Sequence, residues 1–280
     1  MKIGLVLGGG GSRGIAHIGV LQVLVREGIP IDLIIGTSMG GIVGVLFALG
    51  FSPHQLTEQM SVLQRTSLFN LKQWSARSRQ RMLRSLLAEP LNAKTFADLH
   101  IPTTLVAVDL HHGVEVALNH GPLMPAVLAT SAVPAVFPPV ELEGMQLADG
   151  GVIDSLATQA AAECGADKVI AVDIEPSLEK ENLWVDPVSA ITGIQLPFVF
   201  GTNESPRSPN ALAAMWRAWR VMAWHIHQER LAAHPPDILL RPRVERYGSL
   251  DFKELQGLVL AGVAEAERHL TELKALANAI

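Results

Sequence analysis

Two short apolar runs, each closed by glycine and followed by a helical stretch, fill the first fifty residues. Residues 2–7 are β-rich and stop at Gly8; residues 31–35 form the second run and stop at Gly36. The first leads into residues 15–26, where Ile15, Ile18, Leu21 and Val25 repeat with a helical period and Gly28 sits at the expected end. The second leads into an apolar helix at 42–49, closed by Gly50. Strand, helix, strand, helix in so short a span predicts an α/β fold: a mostly parallel sheet covered by crossover helices.

The same rhythm returns downstream. Residues 103–110, 146–148, 168–174 and 237–240 read as strands, and 156–164 as a helix between two of them. The chain closes on a helix whose apolar stripe runs through Phe252, Leu255, Val259, Val263, Ala266, Leu270 and Leu273, with Asp251 and Glu254 spaced as a capping box. At 280 residues the length suits one large domain, so a single unit over 1–280 is expected. Residues 52–94, with seven Lys or Arg against Glu58 and Glu89, read as a helical, basic insertion. Residues 184–210, rich in Pro, Gly and Ser without a clear period, read as a long loop.

Composition narrows the function. Hydrophobic residues at 49% and charged residues at 18% exclude disorder, and a net charge of −5 argues against nucleic-acid binding over the whole chain. Cys164 is the single cysteine, which excludes a disulfide framework or a multi-cysteine metal site; as a small apolar residue it is expected to fill core space. No apolar run approaches the ~20 residues of a membrane span, and no targeting leader is evident, so a soluble, cytoplasmic protein is expected.

The chemistry gathers at the two glycine turns. Gly8-Gly9-Gly10-Gly11-Ser12-Arg13-Gly14 lies between strand and helix, where free amides and the helix start form an anion site. Its Gly9-x-Gly11-x-x-Gly14 spacing also fits a dinucleotide loop, but the acidic residue wanted at the end of the second strand is missing, and no Lys-Ser/Thr pair follows Gly14. Gly36-Thr37-Ser38-Met39-Gly40 is a G-x-S-x-G in strand–turn–helix context, the setting that raises a serine hydroxyl above a sheet. One turn offers a nucleophile and the other the N–H donors that a tetrahedral oxyanion needs. Three aspartates fall at or near strand ends and qualify as a base: Asp109, Asp149 and Asp173. Among histidines, His111, His112 and His120 read as loop residues, His225 and His227 do not share a helix face, and His17 reads as packed beside the glycine loop. No H-E-x-x-H or other metal spacing occurs.

These residues resemble the patatin-like phospholipases. The likeness rests on Gly-Gly-Gly-x-Arg-Gly at 9–14, Gly-Thr-Ser-Met-Gly at 36–40 and Asp-Gly-Gly at 149–151, supported by the stretch 130–139 and by the closing strand and helix start at 237–242 and 251–252. It covers nearly the whole chain, and the compact length is similar to the bacterial single-domain subgroup. The resemblance implies a three-layer α/β/α sandwich and a Ser–Asp dyad, with Ser38 as nucleophile and Asp149 as base. Gly10, Gly11 and the Arg13 backbone would form the oxyanion hole, with Gly9, Gly14, Gly36, Gly40, Gly150 and Gly151 completing the motifs. No metal, nucleotide or other cofactor is implied, and calcium dependence is not suggested. Asp-Gly-Gly stands where many members have Asp-Gly-Ala, a departure that bacterial members tolerate.

The reaction implied is hydrolysis of lipid esters, of phospholipase, lysophospholipase or esterase type. The alternatives are a regulatory or lipid-binding protein without turnover on the same scaffold, and a nucleotide-binding protein. A lipid or ester is the expected partner, with room for peripheral membrane contact and for pairing with a second copy; nucleic acid is not. Arg77, Arg79, Arg81 and Arg84 with Leu83, Leu86 and Leu87 would suit a membrane surface or simply a solvated helix face. Trp216, Trp219 and Ala223 share a helix face and are expected to pack in the core, or else to wall an acyl chain or sit as interfacial tryptophans.

Overall fold

The computed structural model describes residues 1–65, 75–178, 211–249 and 252–279; of 211–213 only the helical backbone is described. Among the described residues, eight strands form one sheet: β1 Ile3–Leu7, β2 Leu33–Thr37, β3 Thr103–Asp109, β4 Val114–Leu118, β5 Val140–Leu142, β6 Met145–Asp149, β7 Lys168–Val172 and β8 Ile238–Leu240. Their order is β5-β6-β3-β2-β1-β7-β8, with β4 added to β3. β3, β2, β1, β7 and β8 run parallel, while β4 and β6 are antiparallel to β3 and β5 is antiparallel to β6. The five parallel strands match the apolar runs expected from the sequence, as does β6. β4 and β5 are additional.

Alternation along the strands sorts the core into two layers. Leu5 and Leu7 of β1, Ile34 of β2, Leu105 and Ala107 of β3, and Ile170 and Val172 of β7 join the larger cluster. There they meet α1 Ala16–Arg26, α2 Met39–Ala48, α3 Pro53–Arg65, α6 Leu123–Thr130 and α9 Leu255–Arg268. Val6, Leu33, Ile35, Val106, Val169 and Ala171 point the other way and pack with Leu156, Ala157, Ala160 and Ala161, at and before α7 Thr158–Glu163. Both faces of the parallel strands are therefore buried, which is why they read as continuous apolar runs. The result is a mixed, mostly parallel sheet flanked by helices.

The region 52–94 is helical where described, as α3, α4 Ala76–Leu86 and α5 Ala88–Leu91; residues 66–74 lie outside the described residues. Its lipid-facing reading is corrected in part. Leu83 and Leu87 are buried in the core, and Arg79 is buried with Nε donating to the Val136 carbonyl at 2.9 Å. Cys164 is exposed at the end of α7 rather than buried. The single closing helix expected from the sequence is two: α9, which starts at Leu255 with Glu254 at its cap and no side-chain cap bond, stops at Arg268, and α10 Leu270–Asn278 follows; Asp251 of the expected capping box lies outside the described residues, as does the loop expected at 184–210.

One helix departs from expectation in orientation. α8 Ala211–Ala233 buries His227 alone among its described side chains. Trp216 and Trp219 are half-buried and rest on each other at 4.8 Å between ring centroids, rather than packing in the core. Met215, Met222 and Ile226 are exposed. Leu231 of α8 packs against the smaller core layer, and the rest of its contact with the body is largely charged: Arg220 pairs with Glu175 at 2.7 Å, and Arg230 with Asp154 at 2.9 Å and Glu115 at 2.6 Å. Among the described residues, no helix is long and apolar enough to cross a membrane.

Candidate active site

Sheet register explains how residues 111 apart in sequence meet. β3 uses one edge for β4 and the other for two strands in succession. Along that second edge β2 runs parallel to β3 and ends with Thr37 opposite Val106. β6 arrives antiparallel in the same lane and ends with Asp149 opposite Ala107. Two strands thus meet head to head, which brings Ser38, just past the end of β2, close enough to Asp149 at the end of β6 for its hydroxyl to act on that carboxyl.

Ser38 sits between β2 and α2 with φ 55° and ψ −123°. Such a backbone is strained for a residue with a side chain, by about 1–3 kcal/mol, and persists only where its surroundings enforce it. Here they do. The Ser38 N–H donates to Thr130 Oγ1 at 3.0 Å, and that hydroxyl donates to the Val106 carbonyl at 2.6 Å, tying the turn to β3. Gly40 lets α2 start against β1, since a Cβ there would lie 2.1 Å from the Leu7 carbonyl oxygen. Thr130 was not singled out for a role from the sequence; it lies in the 130–139 stretch that carried part of the family likeness.

Asp149 is 4% exposed. Oδ1 accepts the Gly151 N–H at 2.8 Å, whereas Oδ2 is shut off from solvent with no hydrogen-bond partner among the described residues. Burial pushes the carboxyl up to about 6, against the opposing pull of the Ser38 hydroxyl and the Gly151 N–H. The other two candidate carboxylates are occupied. Asp109 accepts from the His111 N–H at 3.0 Å and pairs with His112, which holds it below its ordinary range. Asp173 pairs with His227 at 3.3 Å and Arg241 at 3.1 Å. Burial raises Asp173, but the His227 hydrogen bond and charge outweigh it and leave it lowered.

The glycine loop lies against Ser38: a Cβ built at Gly9 would be 3.3 Å from that of Ser38. Most of its amides are used internally. Gly8 N–H donates to the Val172 carbonyl at 3.1 Å, Gly9 N–H to Ser155 at 2.8 Å and Ser12 N–H to Ser249 at 2.8 Å. Those of Gly10 and Gly11, at the start of the short helical turn Gly11–Ile15, make no hydrogen bond among the described residues. Gly11 takes φ +64°, and a Cβ there would fall 2.0 Å from the Ser249 carbonyl oxygen. Arg13 anchors the turn, with Nε donating to the Tyr247 carbonyl at 2.8 Å. Ser12 is buried with its hydroxyl donated to Gly248 at 2.7 Å, which commits it to structure.

No histidine ring bonds to Ser38 among the described residues. His17 is fully buried, bonded through Nε2 to the Gly8 carbonyl at 2.8 Å, and burial lowers it to about 4. A hydroxyl on a strained turn, a buried carboxyl with one idle oxygen and two idle amides therefore share one end of the sheet. The chemistry such a group can support is addition to a carbonyl carbon, with the proton passed to the carboxylate.

The family profile described as patatin-like phospholipase matches residues 5–162, from β1 through most of α7. The chain belongs to that family. It is 37% identical over 179 residues to an uncharacterized NTE family protein of Mycobacterium bovis, a match covering 63% of this patatin-like chain and 50% of the relative. It is 28% identical over 282 residues to lysophospholipase NTE1 of Saccharomyces cerevisiae, covering 93% of this chain and 16% of that one. The chain thus spans half or less of the length of these relatives. Among solved structures, the ExoU–SpcU complex from the type III secretion system of Pseudomonas aeruginosa aligns with 97% of this chain and 52% of that one, at 14% identity and a TM-score of 0.48.

Proposed function

We propose that this chain hydrolyses lipid esters through a Ser38–Asp149 dyad. As Ser38 Oγ attacks the ester carbonyl, its proton passes to Asp149 Oδ2. The developing oxyanion is held by the amides of Gly10, Gly11 and Arg13. Collapse expels the alcohol, which takes the proton back from Asp149, and leaves an acyl group on Ser38. Water then attacks the acyl-enzyme with Asp149 again as base, releasing the carboxylic acid and restoring Ser38. The reading takes residues 1–280 as one catalytic unit, since β8 adds to the same sheet that β1 and β2 begin.

The observation that carries the proposal is Asp149. It is buried, its Oδ2 is otherwise unpartnered, and its carboxyl titrates close to the pH at which a general base works best. The exposed Met215, Met222 and Ile226 on α8 support peripheral contact with a lipid surface. The test is a hydrolysis panel of p-nitrophenyl esters and phospholipids, with Ser38→Ala as control. Turnover that disappears in Ser38→Ala is expected; equal turnover by both proteins, or lipid binding with no turnover, would refute it.

A further inference from the structure

Behind the glycine loop lies a buried polar network that the proposed chemistry does not use. His227 on α8 is 3% exposed and bridges two segments distant in sequence. Its Nδ1 lies 3.2 Å from Ser155 Oγ, and its Nε2 lies 3.3 Å from Asp173 Oδ2. Ser155 Oγ donates to Glu175 Oε2 at 2.6 Å, closing a ring of contacts between the turn after β6 and the segment after β7.

The same two segments are what the glycine loop rests on. The Ser155 carbonyl accepts the Gly9 N–H, and the Val172 carbonyl, next to Asp173, accepts the Gly8 N–H. Ile174, between the bridged Asp173 and Glu175, abuts Gly10: a Cβ built on Gly10 would meet its Cδ1 at 2.9 Å. We propose that His227 is a positioning residue for the proposed acyl-transfer reaction, holding the Ser155 and Asp173–Glu175 segments in register so that the Gly10 and Gly11 amides stand where the oxyanion forms. This rests on the acyl-hydrolase reading of Ser38 and Asp149.

The bridge needs both ring nitrogens. Ser155 gives its proton to Glu175, so its oxygen is left to accept from Nδ1 while Nε2 donates to Asp173; the ring that does both is the imidazolium. The groups around it favour that form: Asp173 and Glu175 beyond β7 and Asp154 beyond β6, against Arg220 and Arg230 of α8 and Arg241 beyond β8. Burial lowers the ring, and the Asp173 hydrogen bond and the surrounding carboxylates more than offset it, raising His227 above its ordinary range. Loss of that proton at alkaline pH breaks one arm of the bridge.

The experiment measures kcat and KM on a soluble p-nitrophenyl ester from acid to alkaline pH for wild type, His227→Gln, Ser155→Ala and the double variant. A misplaced donor set should cost His227→Gln roughly tenfold to a hundredfold in kcat, with KM changed far less. The alkaline limb of the wild-type profile should vanish in His227→Gln, while the acid limb set by Asp149 stays. Ser155→Ala should cost less in the His227→Gln background than alone, because both act through one bridge. A His227→Gln enzyme within about twofold of wild type in kcat, one that keeps the alkaline limb, or additive losses would overturn the proposal. Should His227→Gln fail to fold, Ser155→Ala carries the test: it keeps the backbone carbonyl, and an unaltered kcat and alkaline limb would equally overturn it. Persistent turnover in Ser38→Ala would bring down the hydrolase reading instead; with Ser38→Ala inactive, the outcomes above bear on His227 alone.

Discussion

Replacing Asp149 by asparagine keeps the shape of the side chain and removes its charge. In the folded protein the carboxyl is raised from 3.8 to about 6, chiefly by burial. At about 1.4 kcal/mol per pH unit, holding it ionised in that site costs the fold about 3 kcal/mol. The sign follows from proton binding. Between pH 3.8 and about 6 the native state holds a proton that the unfolded chain has lost, so stability is fully present below 3.8 and falls as pH rises to about 6. Asparagine never ionises and escapes that cost. Its Oδ1 can still accept the Gly151 N–H, while its NH₂ must use Ser38 Oγ as an acceptor, so a net gain of about 2–3 kcal/mol at pH 8 is expected. For a chain of this size that raises Tm by the order of 5 °C. About half of the advantage should remain at pH 5, and none below 3.8. The assay is thermal or urea unfolding of both proteins across this range, paired with ester kinetics. The variant should lose about two to four orders of magnitude in kcat, and wild-type kcat/KM should climb through about pH 6 to a plateau. A stability difference that ignores pH, or an asparagine variant of near-normal activity, would refute the reasoning.

Gly11→Ala places a Cβ 2.0 Å from the Ser249 carbonyl oxygen at a positive φ, so the loop must move; kcat should fall roughly 10²–10³-fold with little change in ester affinity. Calorimetry on the native protein should show no micromolar affinity for ATP or NAD; such binding, with ester turnover indifferent to Gly10→Ala and Gly11→Ala, would instead favour a nucleotide loop. Thr130→Val removes the acceptor of the buried Ser38 N–H and should cost about 1–3 kcal/mol in unfolding free energy, together with a clear fall in kcat; normal kinetics would show that the strained turn holds without it.

The parallel strands were legible because both of their faces are buried, leaving runs such as 2–7 and 168–174 apolar without a break. β4 and β5 were not. Val114–Leu118 buries only Leu118 fully and Val140–Leu142 has only three residues, so neither offers the buried run or the clean alternation that marks a strand. α6 carries Pro125 and a weak apolar period, and with it the supporting Thr130 escaped notice. The G-x-S-x-G turn announced Ser38 through its glycines. The residues alone left Asp109, Asp149 and Asp173 equivalent, and only the family likeness chose among them; the structure separates them physically, since two are paired and one has an idle oxygen. α8 misled because amphipathic spacing reports two faces without saying which turns inward. Here ion pairs from Arg220, His227 and Arg230 hold the polar face against the body, a contact between segments tens of residues apart that no local pattern encodes.

The central claim is that Ser38 is a nucleophile activated by Asp149, and labelling with a fluorophosphonate probe followed by peptide mass spectrometry tests it most directly. One modified serine is expected, Ser38, labelled in wild type, labelled far more slowly in Asp149→Asn and not at all in Ser38→Ala. Label on Ser12 or another serine, or undiminished ester turnover in a protein that takes no label, would contradict it.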